Sequence, residues 1–383
     1  MQKPHMIDPL NTLPDLSKKE RYNKKNKIAV ALSGGIDSTA AAILLKEAGC
    51  EVVGLFMQLY DSSLNIPPFL KACFGPSEPE KIEHTRLICK ALGIPLYLID
   101  LRKDFREYVI GYFRNEYLSG KTPNPCIRCN LKIKFELLPK KAKERGIEFD
   151  LFATGHHARL GKIGDRYILK KGYDNSKDQS YFLYALVQEQ LSSVTFPVGD
   201  YKKERLRSMV SSLGLGIEKR KESQDFISEG SYSVLFREPE IKEGPIMDRW
   251  GKRLGTHKGI IYYTVGQRKG LGISSSRPFY VIEIDAKNNT IIVGHKEDLF
   301  SDGLIAGNIN LITMEKMDST VRAKVKIRQQ HKGAKATLYP MGDRIRVIFD
   351  EPQLAVTPGQ SAVFYSQDVV LGGGIIELPI KGE

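Results

Sequence analysis

Residues 27–50 read KIAVALSGGIDSTAAAILLKEAGC, and this stretch decides the fold. Lys27–Leu32 is a continuous apolar run of the kind that forms a strand buried on both faces of a parallel sheet. Ser38–Ala48 is rich in Ala and Leu and reads as a helix, closed by Gly49 as a left-handed C-cap. Between them Ser33-Gly34-Gly35 turns the chain. A strand, a glycine turn and a helix in immediate succession bring bare N–H groups and the positive end of a helix to one point, which makes an anion site. Ser33 and Ser38 add hydroxyl donors. Asp37 has the wrong charge to bind phosphate and is expected to hold Mg²⁺ or to orient the loop. No lysine stands here, so this is not a Walker loop. The Gly120-Lys121-Thr122 fragment is not one either, because Asn115 stands where the first glycine belongs and Pro123 follows where a helix would start.

Working outward, strands are expected at Glu51–Met57, Pro95–Leu101 and Phe149–Gly155. Helices are expected at Glu78–Leu92, Asp104–Leu118 and Lys132–Arg145. Such alternation indicates an α/β domain with a parallel sheet whose ligands bind beyond the carboxyl ends of its strands. After about Lys202 the texture becomes β-rich. YVIEIDAKNNTIIVGH (280–295) reads as a hairpin around Lys287–Asn289, and VRAKVKIR (321–328) and RIRVIFD (344–350) continue the alternation. The expected division is a flexible basic extension over 1–26, a catalytic domain over 27–204, a small β-rich domain over 205–276 and a β-barrel over 277–383.

Lys and Arg number 58 against 45 Asp and Glu, a formal charge of +13, which favours a polyanionic partner. No stretch is apolar for long enough to span a bilayer, and the N-terminal residues lack a signal-peptide core. No membrane association and a cytoplasmic location are expected.

The five cysteines are Cys50, Cys73, Cys89, Cys126 and Cys129. An odd count in an unsecreted chain argues against a disulfide framework. Cys50 and Cys89 read as structural. Cys126 and Cys129 form a Cys-x-x-Cys in KTPNPCIRCN (121–130), stiffened by Pro123 and Pro125. Arg128, Lys132 and Lys134 are expected to lower the thiol pKa and enrich the thiolate. Half of a zinc site, a redox dithiol and a nucleophilic thiol all remain open from the spacing alone.

Further signatures follow in order: Ile133-Lys134-Phe135, Thr154-Gly155-His156-His157-Ala158-Arg159, Lys177-Asp178-Gln179-Ser180-Tyr181-Phe182, Phe196-Pro197-Val198-Gly199, His257-Lys258-Gly259, Tyr263 to Gly272, and Pro358-Gly359-Gln360. With these, the chain from about Lys27 onward closely resembles the tRNA-specific 2-thiouridylase family of the PP-loop ATP pyrophosphatases. The resemblance implies a parallel-sheet PP-loop (adenine nucleotide alpha-hydrolase-like) domain, then a small central domain and a C-terminal β-barrel. It implies that ATP, with Mg²⁺, adenylates the 2-carbonyl of a wobble uridine in tRNA, and that sulfur then displaces AMP to leave 2-thiouridine. ATP would lie against Ala31, Leu32, Ser33, Gly34, Gly35, Ile36, Asp37, Ser38, Met57 and Gly155. Asn124, Pro125 and Cys126 would face the target base, with Cys129 and Cys126 as the catalytic thiols. His156, Lys177, Asp178, Gln179, Arg328 and Gln360 would touch tRNA at its anticodon stem-loop. The sulfur would come from a donor protein or inorganic sulfide. Tyr181, Phe182 and Tyr184 read as core rather than base-stacking residues.

The chain departs from the family at two places. Cys126 stands where many members have aspartate, and Ile227, after Lys221 to Phe226, stands where a later cysteine is expected. No cysteine follows Cys129, so the family's two-cysteine relay is not expected to be available in this chain. The expectation is that Cys73, Cys126 and Cys129 ligate a [4Fe–4S] cluster with one iron open. The competing readings are a PP-loop ligase acting on a small molecule and a tRNA-binding homologue that has lost its chemistry. The first needs no basic β-rich half, and the second need not keep the Ser33–Ser38 loop.

Overall fold

A computed structural model describes residues 21–67, 70, 72–219, 226–227 and 232–382. The basic extension expected over 1–26 therefore lies outside the described residues as far as residue 20. The heart of the molecule is a five-stranded sheet, ordered Leu96–Asp100, Glu51–Gln58, Lys27–Ala31, Leu151–Ala153, Val194–Thr195. All its pairings are parallel. Ile28 and Val30 face one core and Ala29 the other, so the Lys27–Ala31 strand is covered on both sides. The strand order runs outward from Lys27–Ala31 in one direction and then restarts on its other side at Leu151–Ala153. That reversal is the switch point at which such sheets open a crevice. The loops leaving these two strands, 32–35 and 154–157, meet there.

The helix Ile36–Glu47 buries Ala40, Ala41, Leu44 and Leu45 against the sheet. The opposite face carries a helix from Arg102 to Leu118, with π-helical turns at Arg106–Gly111, and a second from Pro125 to Glu144, with π-helical turns at Cys129–Leu137. Sequence periodicity starts this second helix only at Lys132. It starts at Pro125 because Asn124 caps it: Oδ1 accepts from the N–H of Cys126 at 3.1 Å and of Ile127 at 3.3 Å, and proline fits the first helical position. The Cys-x-x-Cys is thus the first turn of a helix. The strand expected over Phe149–Gly155 is confined to Leu151–Ala153, because the chain leaves the sheet at Thr154 to reach the loop beside it.

The helix Lys203–Ser211 packs Leu206 and Val210 into the core of Ile36–Glu47, across the boundary expected at 204. The 280–294 hairpin, assigned by sequence to the barrel, instead pairs Thr290–Gly294 in parallel with Gly244–Asp248, at Ile291↔Ile246. Ile246, Val281, Ile291 and Val293 are fully buried, and their shared core overrides the hairpin's proximity to the barrel strands. The barrel proper comprises six strands from Phe300–Leu311 to Val369–Ile380, closed because Phe300–Leu311 pairs with both Arg344–Leu354 and Val369–Ile380. Closure leaves these six strands no free edge around the ring. The hairpin Ala158–Ile163/Arg166–Lys171 attaches to it through Val369↔Lys170.

The barrel is fastened to the catalytic domain at the entrance to the thiols. The hydroxyl of buried Tyr181 donates to the Ser361 carbonyl at 3.0 Å, and Tyr184 meets Ser361 Oγ at 3.1 Å. Both tyrosines are core residues, as their sequence context suggests. Thr122 N–H donates to the Pro358 carbonyl at 2.9 Å. A Cβ on Gly359 would stand 2.9 Å from that same Thr122 nitrogen.

Candidate active site

The anion loop is built as its sequence dictates. Gly34 takes φ +75°, and Gly35 is the extended N-cap of the Ile36–Glu47 helix. Ser38 Oγ accepts from Ser33 N–H at 3.2 Å and donates to the Gly35 carbonyl at 3.2 Å, which cross-braces the turn. Met57 is half-buried at the carboxyl end of the neighbouring strand. Gly155 closes the loop from behind: a Cβ there would lie 2.5 Å from Asp37 C and 2.5 Å from Ser38 N. No side chain larger than hydrogen fits.

Asp37 is held by residues that local sequence could not reveal. His157 Nε2 is 3.0 Å from its Oδ1, and Lys203 Nζ lies 2.7 and 2.8 Å from its two oxygens. Burial opposes ionisation of this carboxyl, but the hydrogen bonds and charges of His157 and Lys203 outweigh it and hold Asp37 below the usual range. The loop lacks a lysine in sequence and acquires one in space.

The thiols lie on the other side of the 154–157 segment. Lys134 Nζ donates to Asn130 Oδ1 at 3.0 Å, approaches His156 Nε2 at 3.5 Å, and its charge reaches Cys129. The expectation of three activating cations is corrected. Arg128 lies over the Tyr112 ring and donates to the Tyr108 carbonyl, and Lys132 pairs with Glu136. Burial consequently pushes the Cys129 thiol up, and Lys134 only partly offsets it. Burial thus favours the neutral thiol over the thiolate at Cys129.

Cys73 joins this group. It is open to solvent, yet protein crowding around its sulfur, with Cys129 and Cys126 beside it, pushes its ionisation up as well. Its position is set by Ile227, which forms an antiparallel bridge with Ala72, and Cys73 N–H donates to the Phe226 carbonyl at 3.2 Å. The third thiol thus stands beside the very position where the later cysteine is missing. Cys50 and Cys89 are buried in the core on the opposite face of the sheet, and burial pushes Cys89 up to about 11. Among the described residues no three His, Cys, Asp or Glu side chains group so as to hold a metal ion.

The residues expected to touch tRNA divide. Arg328 is exposed. Asp178 is buried and spent on the turn it organises, accepting from Gly172 N–H at 3.2 Å and from Ser180 N–H at 3.0 Å. Gln179 accepts from His157 N–H at 2.9 Å and so supports the Asp37 partner. Half-buried Lys177 donates its N–H to the Asp174 carbonyl at 3.0 Å, in the same turn. Gln360 Nε2 donates to the Thr122 carbonyl at 2.9 Å and holds the approach to Cys126. His156 is buried against Phe135 and Phe196, with Nδ1 2.7 Å from Thr154 Oγ1. A surface hollow of about 420 Å³ between Arg268 and Phe279 lies in the central domain, apart from the thiols.

Burial, then the charges of Lys134 and His157, hold the His156 imidazole well below its usual range. The unfolded chain takes up that proton near pH 6.5 and the folded chain does not, so stability present at pH 7.5 is lost as pH falls below about 6.5. His257 and His331 are depressed too, each chiefly by burial. The expected result is a melting temperature that declines from pH 7.5 to 5.5, less steeply in His156→Gln. A melting temperature flat across that window would contradict it.

Residues 26–228 match the family described as the tRNA methyl transferase HUP domain. Residues 233–295 match the tRNA methyl transferase PRC-barrel domain, and 301–376 the aminomethyltransferase beta-barrel domain. The chain is 46% identical over 365 residues to the tRNA-specific 2-thiouridylase MnmA 2 of Thermoanaerobacter sp. (strain X514), covering 93% of this chain and 99% of that one. It is 44% identical over 359 residues to the tRNA-specific 2-thiouridylase MnmA of Clostridium botulinum (strain Alaska E43 / Type E3), covering 92% and 98%. A solved 4-thiouridine synthetase–RNA complex with bound ATP shares 18% identity over 52% of this chain and 44% of that one, with a TM-score of 0.32, a likeness too slight to carry an argument.

Proposed function

The chain belongs to the tRNA-specific 2-thiouridylase family, and from that premise we propose that it uses ATP to exchange the 2-oxygen of a wobble uridine in tRNA for sulfur. The observation that carries this reading is the 154–157 segment. Its Gly155 backs the phosphate loop, its His157 holds Asp37, and its His156 meets Lys134 beside Cys129. An activating site and a thiol site therefore share one wall.

The loop's N–H groups and the helix end would bind the pyrophosphate part of ATP. Asp37 fits Mg²⁺, since that ion is commonly held by one or two carboxylates together with substrate phosphates. Magnesium there would draw charge from the phosphates and ease departure of pyrophosphate. A uracil carbonyl oxygen leaves poorly, and attached to AMP it leaves well. Asn124, Pro125 and Cys126 would receive the base after it leaves its stack. Sulfide held beside Cys129 would bond to the activated ring carbon as the carbon–oxygen bond to AMP breaks; its proton would pass to solvent, and AMP would carry away the original oxygen. Exposed Arg328 and the basic charge of the chain would hold RNA phosphates. No helix among the described residues is long and apolar enough to cross a membrane, and we assign the work to the cytoplasm.

Cys73, Cys126 and Cys129 are the residues that would hold a [4Fe–4S] cluster. Cys126 and Cys129 are close enough for their charges to reach Cys73, and although no three converge on a single ion, a cluster spreads its thiolates over several irons. Such a cluster would supply an open iron for binding inorganic sulfide. Anaerobically prepared protein is expected to hold about four iron atoms per chain with visible thiolate-to-iron absorbance, and Cys73→Ser to lose both. Colourless, iron-free, active enzyme would overturn this assignment and leave sulfur delivery to a donor protein acting on the thiols. The function itself is tested by mass spectrometry of tRNA nucleosides with and without the enzyme, ATP and a sulfur source. Appearance of 2-thiouridine supports it, and ATP consumption without any thionucleoside refutes it.

A further inference from the structure

All three polar groups of Thr122 are bonded outside the domain that carries it. Its N–H donates to the Pro358 carbonyl at 2.9 Å, its carbonyl accepts from Gln360 Nε2 at 2.9 Å, and its hydroxyl meets that of Thr264. The first two partners belong to the barrel and the third to the central domain. Both domains also press on the backbone around it. Gly120 makes room for the Ile284 carbonyl, which a Cβ there would meet at 2.8 Å, as Gly359 makes room for Thr122 from the barrel side. The partners are themselves fixed. Thr264 N–H donates to Gln267 Oε1 at 3.1 Å, and the Gln267 carbonyl accepts from the N–H of fully buried Val281 at 2.9 Å. In the barrel, Ile376 N–H donates to the Gln360 carbonyl at 2.8 Å. On its other side Thr122 runs through Pro123, Asn124 and Pro125 into the helix that carries Cys126 and Cys129. The two prolines lock φ, and Asn124 caps the first turn. A displacement of Thr122 is therefore passed to that turn rather than absorbed by the link.

We infer that Thr122 is a positioning residue: the barrel and the central domain hold it from two sides, and through it they set where Cys126 and Cys129 stand against the phosphate loop. Thr264 is its counterpart in the central domain. A hydroxyl pair fixes a direction as well as a distance, which packed methyl groups do not. Sulfur transfer needs the reacting atoms aligned and about 3.5 Å apart or closer. A small drift of the first helical turn therefore slows the chemical step and leaves nucleotide and tRNA affinity, which are made on other surfaces, as they were. The inference rests on the reading of Cys129 as the place of sulfur transfer.

The test compares tRNA thiolation kinetics of wild type, Thr122→Val, Thr264→Val, the double variant and Thr122→Ser, with calorimetric ATP affinity and a melting temperature for each. Each single substitution to valine is expected to lower kcat about 10- to 30-fold, with KM for tRNA and ATP affinity within about 2-fold of wild type. Thr122→Ser keeps the hydroxyl and should recover most of the rate. The double variant should be no slower than either single one, because both cut the same tie. If a single variant does not fold, the double variant carries the same kcat comparison: Thr122→Val alone leaves the Thr264 hydroxyl unpaired, whereas the double variant leaves no hydroxyl there. An unchanged kcat, losses that multiply in the double variant, or a change confined to KM or to melting temperature would overturn the inference, as would Thr122→Ser being as slow as Thr122→Val. Wild type that forms no 2-thiouridine would instead fault the reading of the site.

Discussion

Cys129→Ser is expected to lower tRNA thiolation by at least about 10³-fold, the scale of losing the group that holds the reacting sulfur, while nucleotide binding stays near wild type. Cys129 follows the first helical turn of the Pro125–Glu144 helix, and its sulfur lies within reach of the Lys134 charge. Serine keeps the size and the cap, so a fold defect is not expected. The variant should still adenylate the base once, because Gly34, Gly35, Asp37 and Ser38 are intact. One equivalent of pyrophosphate per enzyme should appear in a rapid phase and then stop. Quench-flow measurement of pyrophosphate beside nucleoside analysis checks both halves. Repeated thiolation by Cys129→Ser would remove Cys129 from the reaction.

The second large effect concerns Gly155. Its backbone is not in the left-handed region, so alanine is not strained by conformation. The obstacle is contact alone, since the added carbon would meet Asp37 C and Ser38 N at 2.5 Å. Either the loop or the end of the Leu151–Ala153 strand has to shift, at a cost of about 1–3 kcal/mol for overpacking. Both structures define the phosphate site, so Gly155→Ala should weaken ATP binding by roughly 100-fold, while the six-stranded barrel keeps its contribution to tRNA affinity. Filter binding of tRNA together with calorimetry of ATP separates the two. Equal loss of both would mean that the whole domain had unfolded rather than the loop been displaced.

What the sequence disclosed was local. The Ser33–Ser38 loop was legible because every group that shapes it lies within one strand, one turn and one helix. The Cys-x-x-Cys was legible as a pair of thiols, but the electrostatics around it were not. Three cations stand near it in sequence, and helical geometry sends Arg128 to Tyr112 and Lys132 to Glu136, leaving burial to dominate at Cys129. The partners of Asp37 were invisible because they arrive from 120 and 166 positions away. Asp178 and Gln179 were named as tRNA contacts through the family resemblance, and the internal hydrogen bonds they accept from Ser180 and His157 could not be read from the sequence. The placement of the 280–294 hairpin was lost for a related reason: alternation identifies a hairpin and does not say which sheet it joins. Cys73 could be named but not placed, since it is held by contacts with Phe226 and Ile227, about 150 positions away.

The most direct measurement follows the oxygen atom. tRNA carrying ¹⁸O at the 2-position of its wobble uridine is incubated with the enzyme, ATP and a sulfur source, and AMP is weighed by mass spectrometry. A base activated at the loop and attacked at Cys129 predicts one ¹⁸O in each AMP, in amount equal to the 2-thiouridine formed. Unlabelled AMP, or labelled AMP without thiouridine, would contradict it.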